Sequence, residues 1–165
     1  MQKLTVLIEI PTGSVVKYEL NETTHQIFVD RLLPTAMGYP VNYGLIENTL
    51  GEDGDALDAL IFISQPIIPG VRIECKMIGL LEMEDEAGID HKIICVPAST
   101  KIDPLCGAWS SLDDIPQSSK NKIRHFFEHY KDLEPEKWVK LKDWKNTETA
   151  QAVLAAGIKR FKQEE

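Results

Sequence analysis

The 165-residue chain is short of long apolar runs, of paired cysteines and of positive charge. No segment approaches the roughly 18 consecutive apolar residues that read as a membrane span. The stretch LTVLIEI at residues 4–10 is interrupted by Glu9 and followed by no cleavage-like site, so no signal peptide is expected. The cysteines Cys75, Cys95 and Cys106 are odd in number and lack C-x-x-C spacing. That pattern excludes a disulfide framework and a zinc ribbon, and reads as buried reduced thiols of a cytoplasmic protein. Lys and Arg number 18 against 26 Asp and Glu, a formal charge of −8, and only 7% of residues are aromatic. Such a surface repels nucleic acid and anionic membranes, so neither is expected as a partner. A single-strand binder would need a basic groove with stacking aromatics, which this composition does not supply.

What is present is a globular core. The length fits one domain, 1–165, and 43% of residues are hydrophobic. In the first two thirds, Gly, Pro, Asn or Asp recur roughly every 8 to 12 residues, the rhythm of short strands. Leu4, Val6, Ile8 and Ile10 share one face of the first run. In VVKYEL, Val16, Tyr18 and Leu20 oppose Lys17 and Glu19, and QIFVDRLL puts Ile27, Val29 and Arg31 together. The runs ALDALIFI, VRIECKMIGLLEM and HKIICVPA are apolar nearly throughout. Pro34 holds Leu33 extended and ends the third strand. After Pro116 the period becomes helical over SSKNKIRHFFEHYKDL, and a second helix is expected from Thr147 to Phe161, capped by Asn146 or Thr147. Its interior Gly157 weakens that expectation. The predicted fold is α+β, mainly β: a small closed barrel with two flanking helices in the C-terminal part.

The chemistry concentrates in GEDGDALDALIF, residues 51–62. Asp53, Asp55 and Asp58 converge if Gly51 and Gly54 bend the backbone, and converging carboxylates repel unless a cation joins them. A hard divalent cation resolves that conflict, and a solvated Asp/Gly turn reads equally well from this loop alone. An EF-hand is excluded, because Leu57 and Asp58 stand where its pattern needs Asp or Asn and then Gly. A second cluster, EMEDEAGIDHK, brings Glu82, Glu84, Asp85, Glu86 and Asp90 to another strand end. Two such clusters favour a multi-metal pocket with oxygen ligands, suited to Mg²⁺ or Mn²⁺. Lys17, Arg31 and Lys92 add the cations that a polyphosphate needs.

These blocks, in order, resemble the family I soluble inorganic pyrophosphatases of bacterial type. The resemblance runs from IEIP at Ile8–Pro11 through KYEL, FVDR, TAMGYPVNYG, DGDALD and DEAGIDHK to HFFEHYKDLE at His125–Glu134. It implies a five-stranded OB-like barrel and hydrolysis of pyrophosphate to two phosphates with several Mg²⁺ ions, other divalent ions substituting. By motif, Asp53, Asp58 and Asp90 resemble ligands of the ions that hold the attacking water, and Asp55 the general base. Glu9, Glu19 and Asp85 resemble ligands of substrate-borne ions. Lys17, Arg31, Lys92, Tyr130 and Lys131 match the phosphate contacts, Tyr43 the tyrosine beside the leaving phosphate, and Tyr39 lies nearby. On periodicity alone Tyr130 is a core residue of its helix. A homohexamer is implied as well. The family usually has proline after the base aspartate, and Ala56 stands there instead, which questions the stiffness of the Asp55 loop.

Overall fold

The computed structural model describes residues 2–165. Alternating and continuous apolar runs form nine strands among the described residues: β1 Lys3–Ile10, β2 Val16–Asn21, β3 Gln26–Leu32, β4 Asn42–Ile46, β5 Leu57–Ile61, β6 Arg72–Asp85, β7 Gly88–Ile89, β8 Lys92–Pro97 and β9 Val139–Lys145. Helix α1 spans Gln117–His129 and α2 spans Thr147–Gln163. Strands β1, β4, β5, β8 and β6 are neighbours in that order, and β6 pairs back with β1, which closes a five-stranded barrel. All its pairs are antiparallel except β5–β8, where Asp58 lies beside Lys92. Closure removes the exposed edges that a small sheet otherwise leaves. The long β6 serves four partners, with the short β7 paired to Glu84 and Asp85 at its end. Its first half pairs β1, its middle β8 and its last residues β9. A register shift between Met77 and Gly79 marks a bulge, the kind of bend that lets one strand turn a barrel corner.

The core divides along the faces of β5 and β8. Ala59, Ile61, Ile93 and Cys95 pack with Val6, Ile8 and Met77 toward Ala150 and Leu154 of α2. Leu60, Ile94 and Val96 face the other way, toward Ile123, Phe126, Phe127 and Tyr130. This is the two-residue strand period with both faces covered. The three cysteines are free and buried, as their spacing implied. No helix among the described residues is long and apolar enough to cross a membrane.

The structure adds three strands that periodicity did not reveal, the two-residue β7 among them. β4 is five residues long with Gly44 at its centre, and β9, VKLKDWK, starts as an alternation of apolar residues with lysines. Helix α1 ends at His129, short of the expected residue 133, and Tyr130 caps it. Asn146 caps α2, its side chain accepting from Thr149 N at 3.1 Å. Gly157 lies against β5, where a Cβ would stand 2.5 Å from Leu57 Cδ1 and displace that side chain.

Gly44 shows how tightly the barrel wall is drawn. A Cβ on it would come within 2.2 Å of the Leu7 carbonyl oxygen across the β1–β4 pair. Backbone cannot yield as a side-chain tip can, so Gly44→Ala should cost about 1–3 kcal/mol. At this size that lowers Tm by roughly 3–10 °C, readable by thermal circular dichroism. An unchanged Tm would contradict the close approach.

Candidate active site

One end of the barrel gathers the polar residues. The loop 51–56 leads into β5 and carries Asp53 and Asp55, with Asp58 on β5 itself. Gly54, at φ +93°, takes the left-handed turn that folds the loop back. Asp55 N donates to Asp53 Oδ1 at 3.1 Å, and Gly51 N to the Asp55 carbonyl at 2.6 Å. These bonds hold the loop in the absence of the usual proline, so Ala56 does not leave it unsupported. The neighbouring strand ends supply Asp85 from β6, Asp90 from the β7–β8 turn and Lys92 from β8. Tyr43 comes from β4, Glu9 from β1, Lys17 and Glu19 from β2, and Arg31 from β3. Tyr130 and Lys131 follow α1.

All of these residues line a single cavity of roughly 410 Å³. The residues matched to ligand, base and phosphate roles therefore meet there, Tyr39 included, whereas Glu82, Glu84 and Glu86 of the second acidic cluster lie outside it, Glu82 beside Lys145, Glu84 beside Lys142 and Glu86 beside Lys131. Tyr130 is at once a core residue, 7% exposed, and part of the cavity wall. The cavity also takes in Asp30, Glu22 and Lys137, which the sequence reading did not single out. Asp30 had a readable cue only in part. A bulge between Lys17 and Tyr18 leaves Asp30 unpaired beside Arg31, and Lys17 Nζ lies 3.6 Å from its carboxylate. Lys137 sits in an aperiodic segment between α1 and β9, where pattern says nothing.

Lys92 is the electrostatic centre. Its side chain is 2% exposed, and its Nζ donates to Asp58 Oδ2 at 2.7 Å, Asp90 Oδ2 at 2.9 Å and Tyr43 Oη at 3.0 Å. Burial pushes the Asp58 carboxyl upward, against Lys92, with Asp90 adding to the rise. Asp90 stays low despite its own burial, because Lys92 holds it charged. Burial likewise lifts Glu9 to about 7, although Leu20 N donates to its Oε2 at 2.9 Å. Asp53 rises to about 6, through burial first and then through Asp90 and Asp55. Glu19 is raised by partial burial against the pull of Lys17. Burial also keeps the Tyr43 phenol protonated, well above its ordinary value. Lys131 Nζ reaches Asp85 Oδ2 at 3.0 Å and Glu86 Oε2 at 3.3 Å.

Among the described residues no three carboxylates are yet spaced to hold an ion. The donor set nevertheless fits a hard divalent cation. It consists of carboxylate oxygens, several held partly protonated by burial and mutual repulsion, and an ammonium already stands between two of them. Added positive charge is what such a set favours.

A barrel edge of this kind, with carboxylates interleaved with Arg and Lys around a polar cavity, suits hydrolysis of a compact polyanion. Residues 6–162 match the family described as inorganic pyrophosphatase. The inorganic pyrophosphatase of Aquifex pyrophilus is 48% identical over 161 residues, covering 98% of this chain and 90% of that one. The solved inorganic pyrophosphatase of Coxiella burnetii superposes with a TM-score of 0.93 at 45% identity, covering 97% of this chain and 95% of the other. That of Helicobacter pylori gives 0.93 at 45%, with 98% and 94% covered. This chain belongs to the inorganic pyrophosphatase family, metal-dependent enzymes that hydrolyse pyrophosphate to phosphate.

The raised carboxyls have a measurable consequence. Glu9 and Asp53 bind protons more tightly folded than unfolded, so their contribution to stability is greatest below the ordinary carboxylate range and is lost as pH rises toward about 7. Glu9 alone contributes a loss on the order of 3 kcal/mol. His91, lowered chiefly by burial, acts in the opposite sense below its ordinary range and reduces the net slope. In chelator, Glu9→Gln should therefore be more stable than wild type at pH 7.5, and the gap should close toward pH 4.5, read by thermal unfolding across that range. A gap independent of pH would contradict the burial of an ionisable Glu9.

Proposed function

We propose that this chain is a Mg²⁺-dependent inorganic diphosphatase, with Asp55 as general base and the cavity residues divided between ions and substrate. The observation that supports the reading is the convergence of the acidic loop, the β6–β8 carboxylates and the cations of β2, β3 and α1 on one polar cavity. Asp53, Asp58 and Asp90 would hold the ions beside the attacking water, and Glu9, Glu19 and Asp85 those that arrive with the substrate. Bound there, divalent ions acidify a water and neutralise bridging phosphate oxygens.

Asp55 is exposed at the cavity mouth, with its backbone fixed by Asp53, and so can accept the proton of the attacking water. Lys17 and Arg31 on one wall, with Tyr130 and Lys131 on the other, grip the two phosphates in preorganised positions. Lys92 donates to Asp58 and Asp90, and with divalent ions held by those carboxylates its ammonium would be available to the leaving phosphate. The protonated Tyr43 hydroxyl beside it donates to the same developing charge. Mn²⁺ and other divalent ions would substitute for Mg²⁺, since oxygen ligands discriminate among them weakly. We further infer a single domain over 1–165, a homohexamer and a cytoplasmic setting. The end-to-end family match supports the first two, and three reduced thiols support the last.

Phosphate release from pyrophosphate should depend on Mg²⁺ and greatly exceed release from ATP. Asp55→Asn should lower kcat by about 10²–10⁴-fold, the usual contribution of a positioned base. Near wild-type turnover in that variant would remove Asp55 from the role.

A further inference from the structure

Strands β2 and β3 form a two-stranded sheet separate from the barrel sheet. The cations it carries, Lys17 and Arg31, need an anchor from outside the hairpin to hold a fixed position over the cavity. For Arg31 that anchor is Glu134, from the turn that follows α1. The Arg31 Nη1 pairs with Glu134 Oε1, and its Nε lies 3.7 Å from Asp30 on the same strand.

Glu134 is not an ordinary surface partner. Its side chain is only 14% exposed, and its second oxygen, Oε2, is buried without a hydrogen-bond partner. A buried polar atom left unpaired costs free energy, so Glu134 is poorly placed to serve stability alone. A guanidinium presents its donors in a rigid planar fork. With Nη1 paired to Glu134 and Nε turned toward Asp30, the guanidinium is oriented between two carboxylates, and its remaining donors are left for the cavity that Arg31 lines. The same turn carries Lys131, which also lines the cavity, so the ion pair ties the hairpin to the segment after α1.

We propose that Glu134 is a positioning residue for the reaction: through its ion pair with Arg31 it sets the guanidinium to receive a phosphate of pyrophosphate. The proposal rests on the reading of Arg31 as a phosphate ligand. Glu134 itself touches no reacting atom, and its effect passes through Arg31.

The test is a double-mutant cycle in steady-state hydrolysis of magnesium pyrophosphate, with KM and kcat resolved. Glu134→Ala should raise KM about 10-fold and leave kcat within about 3-fold, since orientation of a binding group is lost and the reacting groups are intact. Glu134→Gln keeps an acceptor of the same shape and should recover most of that, to about 2–4-fold. In an Arg31→Ala background either change should add less than about 2-fold, the signature of coupling. If Glu134→Ala folds poorly, the Gln variant in both backgrounds decides the matter. An unmoved KM, or an equal rise in both backgrounds, overturns the proposal while the pyrophosphatase reading stands. Absence of wild-type turnover overturns both.

Discussion

A buried ammonium held between two carboxylates organises this molecule. Lys92 is one of the largest fully buried side chains, and it donates to Asp58, Asp90 and Tyr43 from the start of β8. Removing one member of such a set leaves uncompensated buried charge, which costs about 3–5 kcal/mol. The closed barrel makes the arrangement possible. The parallel register of β5 and β8 puts Asp58 beside Lys92, and Asp90 lies one turn upstream on the same edge. Around them the carboxyls of Glu9, Asp53 and Glu19 are pushed upward, chiefly by burial, so this end of the barrel has more negative charge to offer than its own cations satisfy.

That surplus links fold to function. Strand ends on a rigid barrel hold side chains more precisely than mobile loops, and the core on both faces of β5 and β8 leaves them little freedom. Outside the barrel sheet lie the acidic loop and the β2–β3 hairpin. The loop is held by its own backbone bonds across Gly51, Asp53 and Asp55, and the hairpin by Leu20 N on Glu9 and by Arg31 on Glu134. The proposed base and the cations Lys17 and Arg31 thus sit outside the barrel sheet together with Asp53 and Glu19, whereas Glu9, Asp58, Asp85 and Lys92 stand on barrel strands.

Much of this was legible in the sequence. Two acidic clusters at strand ends announced a site with a cation deficit, and Glu9 stood out as a charge inside an apolar strand. The motif order supplied the remaining site residues. Periodicity alone filed Tyr130 under core, and the residue is in fact both core and cavity wall, a dual role that a one-dimensional period cannot express. Strands β4 and β9 escaped because one is five residues around a glycine and the other alternates with lysines. Asp30 and Glu134 escaped for a different reason. A bulge turns the first toward the cavity, and a contact between segments distant in sequence defines the second. Neither leaves a local pattern.

The sharpest measurement is calorimetric titration of Mg²⁺ into chelator-stripped protein near pH 6.5, repeated in buffers of different ionisation enthalpy to count protons. Cations that take over crowded, partly protonated carboxyls must displace protons from them. Binding accompanied by release of about one proton or more, growing as the pH is lowered toward 6, is the predicted result. Magnesium binding with no proton release at any pH in that range would mean the carboxyls were already charged and at ease, and would contradict the electrostatic basis of the site.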